Sequence, residues 1–376
     1  MTLRVLWVID GLGPGGAESL MPPLLQSLSS RDVLSRVCVF QSRLGNPIAT
    51  ELQDKGIPVD MVPVDNFHSL RQVIDFFRYV KKVKPDIIHT QLETSDVLGG
   101  FVSRLLGIPV VSTVHTLTLP SKKRTSRLRK LLRNFSLRHF FDKVIVVSGA
   151  TRNHYLRLGM KSDALMTLYN GIDLSRFTVG MTRSKNDVIP AVTESDLVLV
   201  TVAVLREPKG IQYMLKALPL ILAAHPNVRY VIVGDGEYRK SLEDLAQSLG
   251  LSERVIFLGY RRDIPSLLAA SDIFVFPTLD DAFPTVLLEA LAIGMPIIAS
   301  EVGGVPEIIH HEENGLLIPP SKADLLAASC NRLLSDHELA SRLGQAGRAD
   351  ANKRFNIDQQ SKALVDLYLQ LTSKNL

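Results

Sequence analysis

Cysteine is scarce in this 376-residue chain: there are two, Cys38 in an apolar strand-like run and Cys330 in a helical one. Two isolated thiols exclude a disulfide framework and a cysteine-built metal cluster, and they fit a reducing, cytoplasmic setting. No apolar run approaches the roughly 18 residues that crossing a bilayer requires. The opening, MTLRVLWVIDGLGPGG, reads as a strand and its turn rather than a secretion signal. Short-period repeats and low-complexity tracts are also missing. Acid is absent from residues 121–140, SKKRTSRLRKLLRNFSLRHF, which hold eight Lys/Arg. The net charge is +5, so those eight cations leave the rest of the chain at −3. Leu128, Leu131, Leu132 and Phe135 recur there at helical spacing, which predicts a basic amphipathic helix with a buried apolar stripe. Its cationic side is either an ordinary solvated face or a surface for anionic lipid headgroups. Nucleic acid is disfavoured, because no aromatic platform accompanies the charge.

What is present is regular. The composition, 46% hydrophobic and 22% charged, supplies apolar material for two cores, and the length calls for two domains. β-branched runs at 3–9, 36–41, 57–64, 86–91, 109–114, 143–148 and 164–169 alternate with helical patterns. The same alternation resumes at 197–204, 228–233, 254–258, 272–277, 296–300 and 315–318. Each half therefore reads as a Rossmann-like parallel sheet covered on both faces, an α/β architecture. The polar segment DLSRFTVGMTRSKNDVIPAVTESD separates them. This gives an N-terminal domain over 1–175, a linker over 176–196 and a second domain over 197–355. Residues 356–376 form one more amphipathic helix.

In open parallel sheets ligands bind beyond the carboxyl ends of the strands, and several unusual residues fall there. The turn DGLGPGG brings Gly13, Gly15 and Gly16 to the start of a helix, where backbone could approach an anion. A dinucleotide fingerprint fits it poorly, because Pro14 interrupts the spacing and the next strand ends without an acid; an empty tight turn is the other reading. Arg206 and Lys209 follow a strand in LREPKG, a place where two cations could neutralise a diphosphate leaving group or simply be solvated. Gly234 and Gly236 end another strand in VIVGDGE. His115 closes the strand VVSTV and could donate to a sugar hydroxyl; His89 has a similar place, and neither has the spacing of a metal site.

The most informative stretch is DDAFPTVLLEALAIGMPIIAS. Pro284 marks the first turn of a helix, Asp281 lies in the loop before it, and Glu289 sits about one and a half turns inside among leucines and alanines. A carboxylate so placed needs hydrogen-bond donors, from a structural partner or from a pair of ribose hydroxyls. SEVGGVPEII adds a glycine turn expected to close the same pocket.

Taken together, the segments GGAE, VSTVHT, VIVVSGATRNHY, YNGID, LREPKG, VIVGDGE, VIFLGYRRDI and DDAFPTVLLEALAIGMPIIASEVGGVPEII resemble those of the retaining glycosyltransferases of family 4 over nearly the whole chain. The resemblance implies the GT-B fold, two Rossmann-like domains facing each other across a cleft, with residues 356–376 crossing back to the N-terminal domain. It implies transfer of a sugar from a UDP- or GDP-linked donor to a glycan or lipid-linked acceptor, with retention and with no metal or other cofactor. Glu289 would hold the donor ribose, and Asp281 with the backbone around Phe283, Pro284 and Thr285 would hold the sugar. Lys209 would bind the diphosphate, with Gly15, Gly16 and Gly234 also on the donor and His115 near the sugar. The family often carries an arginine where this chain has Val204, so Arg206 stands in as the second cation. Cysteine usage places such an enzyme in the cytoplasm, and the charge of residues 121–140 makes them its candidate contact with the inner membrane face. Two other readings share the architecture, a nucleotide-sugar epimerase and a non-catalytic nucleotide-sugar-binding subunit.

Overall fold

The structure, a computed structural model, describes residues 2–13, 15–41, 46–64, 69–115, 124–177 and 184–373. Contacts divide the chain into two units. The first runs to Gly171 and includes the segment from Ile357; the second is Ile172–Asn356.

The first unit holds β1 (Leu3–Gly11), β2 (Val33–Gln41), β3 (Val59–Met61), β4 (Ile87–Gln91), β5 (Val110–Val114), β6 (Lys143–Val146) and β7 (Leu165–Thr167). Its helices are α1 (Gly16–Ser19), α2 (Met21–Ser29), α3 (Pro47–Asp54), α4 (Leu70–Val83), α5 (Glu93–Leu106), α6 (Arg124–His139) and α7 (Gly149–Arg157). The strands form one sheet, β3-β2-β1-β4-β5-β6-β7, paired in parallel throughout. Parallel neighbours need crossovers, and helices on both faces leave the central strands apolar on both sides. In β1, Leu3, Val5, Trp7 and Ile9 meet Met21, Leu24 and Leu25 of α2 on one face. The alternate residues Leu6 and Val8 meet Phe40, Phe76 and Leu98 on the other. Cys38 is buried in that second core.

The second unit repeats the plan with β8 (Leu197–Val202), β9 (Val228–Val233), β10 (Val255–Gly259), β11 (Ile273–Phe276), β12 (Ile297–Ser300) and β13 (Leu316–Ile318), ordered β10-β9-β8-β11-β12-β13. Its helices are α8 (Lys185–Val188), α9 (Ile211–Ala224), α10 (Arg239–Ser248), α11 (Ile264–Ala269), α12 (Thr285–Ile293), α13 (Ala323–Ser335) and α14 (His337–Arg354). Every strand run read from the sequence is a strand in one of the two sheets. The last helix, α15 (Ile357–Ser373), belongs to the first unit: Leu364, Leu367 and Tyr368 join its core, and Ser361 Oγ lies 2.8 Å from Ser27 Oγ in α2.

Two expectations change. The segment 176–196, read as a linker, is built into the second unit wherever it is described. Val188, Ile189 and Val192 are buried, Lys185 Nζ lies 2.7 Å from Asp272 Oδ2, and Arg229 Nε lies 3.3 Å from Asp196 Oδ1. Residues 178–183 lie outside the described part. The apolar residues here are too irregularly spaced to signal an element, yet they still pack.

The basic helix is also turned around. Lys122, Lys123 and the side chains of Arg124, Arg127 and Leu128 lie outside the described residues. Of the predicted buried stripe, Leu131 is 67% exposed, Leu132 37% and Phe135 54%. The buried side chains are Arg133, at 4% exposed, with Ser136 and Leu137. The cause is Asp96 of α5, which is fully buried and accepts from Thr90 Oγ1 (2.6 Å), Ser112 Oγ (2.7 Å) and Arg133 Nε (2.7 Å). A buried carboxylate that loses its cation costs roughly 3–5 kcal/mol, so Arg133 is held inward. At 3.6 residues per turn, residues 131 and 135 then fall on the opposite side and residue 132 on the flank. Among the described residues no helix is long and apolar enough to cross a membrane.

Candidate functional site

In the second unit, β9, β8, β11 and β12 are neighbours, and the loops at their carboxyl ends are knitted together. Leu205 N donates to Asp235 O (2.9 Å), Tyr238 N to Leu205 O (3.0 Å), Leu279 N to Pro208 O (2.8 Å) and Gly304 N to Asp281 O (3.0 Å). Thr278, fully buried, adds a bond from Oγ1 to Pro208 O at 3.2 Å. The loops approach so closely that glycine is required at their crossings. Gly210 has φ +69°, and a Cβ there would overlap the Pro277 carbonyl; Gly303 has φ +53°, and a Cβ would overlap that of Asp281. Gly234, at φ +128°, lies against the Ala203 carbonyl in the same way.

This frame brings together residues distant in sequence. Lys209 Nζ lies 2.6 Å from Asp281 Oδ2 and 5.7 Å from the centre of the Phe276 ring. Phe283 is buried against Phe355, their ring centres 5.8 Å apart. The helix boundary falls one residue later than the sequence suggested: Pro284 is the N-cap and Thr285 the first residue of α12, and the cap supplies no side-chain acceptor. Leu287 N donates to Pro284 O (3.2 Å), and the N–H groups ahead of it in the first turn lack intrahelical partners, as at any helix start. Glu289 is half-buried in α12, with no hydrogen bond to another described residue. Burial pushes its pKa up to about 7, against a weaker pull from the Arg176 charge. A carboxyl group held this way is poised to accept from an incoming hydroxyl pair. Arg206, three residues before Lys209, has an exposed side chain that makes no ion pair with a described residue.

Sequence reasoning missed Thr278 and Arg176. Thr278 carries no signal in the sequence: its hydroxyl bonds the nearby Asp280 O (3.0 Å) and Pro208 O in a loop 70 residues away (3.2 Å). Arg176 follows the quoted YNGID segment and could have been weighed as a cation near Glu289.

In the first unit, Gly15 is the N-cap of the four-residue α1, and a Cβ on it would run into the Glu18 carboxylate. Pro14 lies outside the described residues. His115 follows β5; its Nε2 is buried without a partner among the described residues, and burial, aided by the Arg133 charge, lowers its pKa to about 4. It is therefore a neutral imidazole. Gln91 Oε1 is likewise buried and unpartnered, and both side chains line a small cavity shared with Asn170 and Gln360. Next to Gln91, Leu92 takes φ +79°, a strained backbone for leucine. Asp10 accepts from Thr94 N (2.9 Å) and Ser95 N (2.7 Å), capping the start of α5. His89, the alternative to His115, is a core residue. Its ring nitrogens lie 2.6 Å from Tyr368 Oη and 2.7 Å from Thr113 Oγ1, and it stacks on Trp7 at 4.0 Å.

Comparison with known proteins bears directly on these loops. The family model described as "Glycosyl transferases group 1" matches residues 182–350, and the one described as "Glycosyltransferase Family 4" matches residues 14–176. The chain belongs to the group 1 glycosyltransferases. Among curated relatives, this glycosyltransferase is 28% identical over 342 residues to the UDP-Gal:alpha-D-GlcNAc-diphosphoundecaprenol alpha-1,3-galactosyltransferase of Escherichia coli, covering 86% of each chain. It is also 28% identical over 278 residues to the N-acetyl-alpha-D-glucosaminyl L-malate synthase of Bacillus anthracis, covering 73% of this chain and 72% of that one. Among solved structures it is similar to HepE of Anabaena in complex with UDP-glucose, with a TM-score of 0.87, 25% identity, and coverage of 98% of this chain and all of the other. The likeness shows the GT-B fold.

Proposed function

We propose that this glycosyltransferase moves a sugar, with retention of anomeric configuration and without a metal, from a UDP- or GDP-linked donor to a glycan or lipid-linked acceptor at a cytoplasmic membrane face. The observation that carries the reading is the pairing of Lys209 with Asp281 beside a helix whose Glu289 carboxyl group has no partner among the described residues. These are the groups a nucleotide sugar needs: a cation for the diphosphate, an acid for sugar hydroxyls and a second acid for the ribose pair. The Escherichia coli relative, named for UDP-Gal and a diphosphoundecaprenol acceptor, and HepE with its UDP-glucose support the donor and acceptor classes.

In this reading Glu289 accepts from the ribose hydroxyls, and Asp281 with the backbone of Phe283, Pro284 and Thr285 orients the sugar. Lys209 neutralises the departing diphosphate, with exposed Arg206 as the second cation. Gly234, closed against the Ala203 carbonyl, holds the loop after β9 that is assigned to the nucleotide. In the first unit, Gly15 and Gly16 are assigned to the diphosphate and neutral His115 to a sugar hydroxyl. The acceptor hydroxyl attacks on the leaving-group side, and a phosphate oxygen takes its proton.

The test is a thermal-shift panel of nucleotide sugars followed by transfer assays on undecaprenyl-diphosphate-linked sugars in the presence of a chelator. A donor that stabilises the protein, and an α-linked product from an α-linked donor, are expected. An inverted product would overturn retention, loss of activity with chelator would overturn metal independence, and epimerised donor without acceptor would overturn transfer.

A further inference from the structure

The exposed side of α6 continues across two neighbouring helices of the first unit. Leu70 of α4 is 71% exposed, and Phe101 and Leu105 of α5 are likewise on the surface. With Leu132 and Phe135 of α6, Leu70 and Phe101 line an apolar groove of about 450 Å³. A contiguous exposed apolar surface of this kind marks an interaction site rather than an ordinary solvated face. The same three helices carry exposed cations, Arg71, Lys81 and Lys82 on α4, Arg104 on α5 and Arg129 on α6, with Arg71 4.0 Å from Asp75. On α4, Leu70, Ile74 and Lys81 share one helical face, so apolar and cationic side chains point the same way. The sequence of α6, RTSRLRKLLRNFSLRH, has six Lys/Arg and no acid.

An apolar groove on helices that also bear exposed cations matches one environment in both parts, an anionic bilayer surface, with its headgroups for the cations and acyl chains for the groove. We infer that the α4–α5–α6 surface inserts Leu131, Leu132, Phe135, Phe101 and Leu105 among the acyl chains of an anionic membrane. The buried Asp96–Arg133 pair sets this up, because it fixes the rotation of α6 that turns the leucines outward. Contact is thus by insertion, and the cations add attraction to a surface already apolar. The inference deepens the proposed function, in that it supplies the surface by which a lipid-linked acceptor would be met.

The test is flotation of the full chain with phosphatidylcholine vesicles, with and without phosphatidylglycerol, and no nucleotide. Binding to the anionic vesicles is expected, with a fall of at least about tenfold in the Leu131→Ser/Phe135→Ser double variant. Thermal stability and transfer to a water-soluble acceptor fragment should be unchanged in that variant, since both side chains are exposed. A Phe135→Trp variant should be quenched by mid-chain brominated lipid; the native Trp7, 1% exposed, provides a silent background. Unchanged vesicle binding by the double variant, with loss on Arg129→Gln/Lys130→Gln, would mean headgroup contact only and overturn insertion. A dimer in light scattering that the double variant dissolves would assign the surface to a second copy and overturn it too. Vesicle binding through this surface by a protein that transfers no sugar would leave the inference standing and refute the function. Transfer to a lipid-linked acceptor with neither flotation nor quenching would do the reverse.

Discussion

Lys209 and Asp281, 72 residues apart in sequence, form an ion pair of 2.6 Å, and each side chain is mostly shielded from solvent. In the proposed reading a donor diphosphate draws Lys209 away from Asp281 and the sugar then occupies Asp281, so the two roles are coupled. Lys209→Met should lower kcat/KM for the donor by roughly 10- to 150-fold, the equivalent of a charge-assisted hydrogen bond of about 1.5–3 kcal/mol. Asp281→Asn should lower transfer while leaving nucleoside diphosphate affinity intact or improved, because it frees the lysine. Calorimetry with UDP and GDP separates the two; equal loss of affinity in both variants would break the assignment.

Glu289 gives a pH signature. Its pKa of about 7 in the free protein exceeds the ordinary 4.5, so near neutrality much of it is protonated. Ribose hydroxyls favour the carboxylate, so donor binding should release a proton and tighten as pH rises from about 5 to about 7. Glu289→Gln should flatten this dependence and weaken binding by roughly 1.5–3 kcal/mol. The same shift makes the group's contribution to folding greatest at low pH and progressively lost as pH rises from 4.5 through 7. Urea titrations should therefore show Glu289→Gln gaining stability over the parent at pH 8 relative to pH 5.

His115 should behave in the opposite sense. Its pKa, lowered to about 4, keeps the ring neutral across pH 5–8, so its NMR shifts should not move in that window. It contributes to stability above its unfolded pKa of 6.5, and that contribution is lost as pH falls toward 4. A His115 titration near 6.5 in the folded protein would contradict the buried neutral ring.

At Gly210 the backbone is left-handed and the space for a Cβ is taken by the Pro277 carbonyl. Gly210→Ala should cost about 1–3 kcal/mol from backbone strain, with a further loss from displacing the 277–281 loop. Donor turnover should fall with it, because that loop carries Asp281. An alanine variant with parental stability and turnover would show that the loops tolerate separation.

Arg133→Met leaves Asp96 buried without its cation and should destabilise the protein by roughly 3–5 kcal/mol, read from the urea midpoint. The paired change Asp96→Leu with Arg133→Met should recover much of the loss.

The sequence by itself determined both sheets. Alternation between β-branched runs and helical spacing located all thirteen strands, because parallel strands buried on both faces must be apolar along their length. It also singled out Asp281, Glu289 and Lys209 as candidates, since each stands out against its local pattern. Tertiary structure alone decided the partners. Nothing near His89 and His115 distinguishes them, yet Tyr368 and Thr113 claim both nitrogens of the first and leave the second with a free one. The segment 176–196 lacks periodicity, but a packed surface needs only well-placed side chains. In α6 the helical period was read correctly and the buried face was not, because one buried acid on α5 outweighed the leucine stripe. Local pattern records what a segment can bury; which side it does bury depends on charges brought to it by distant chain.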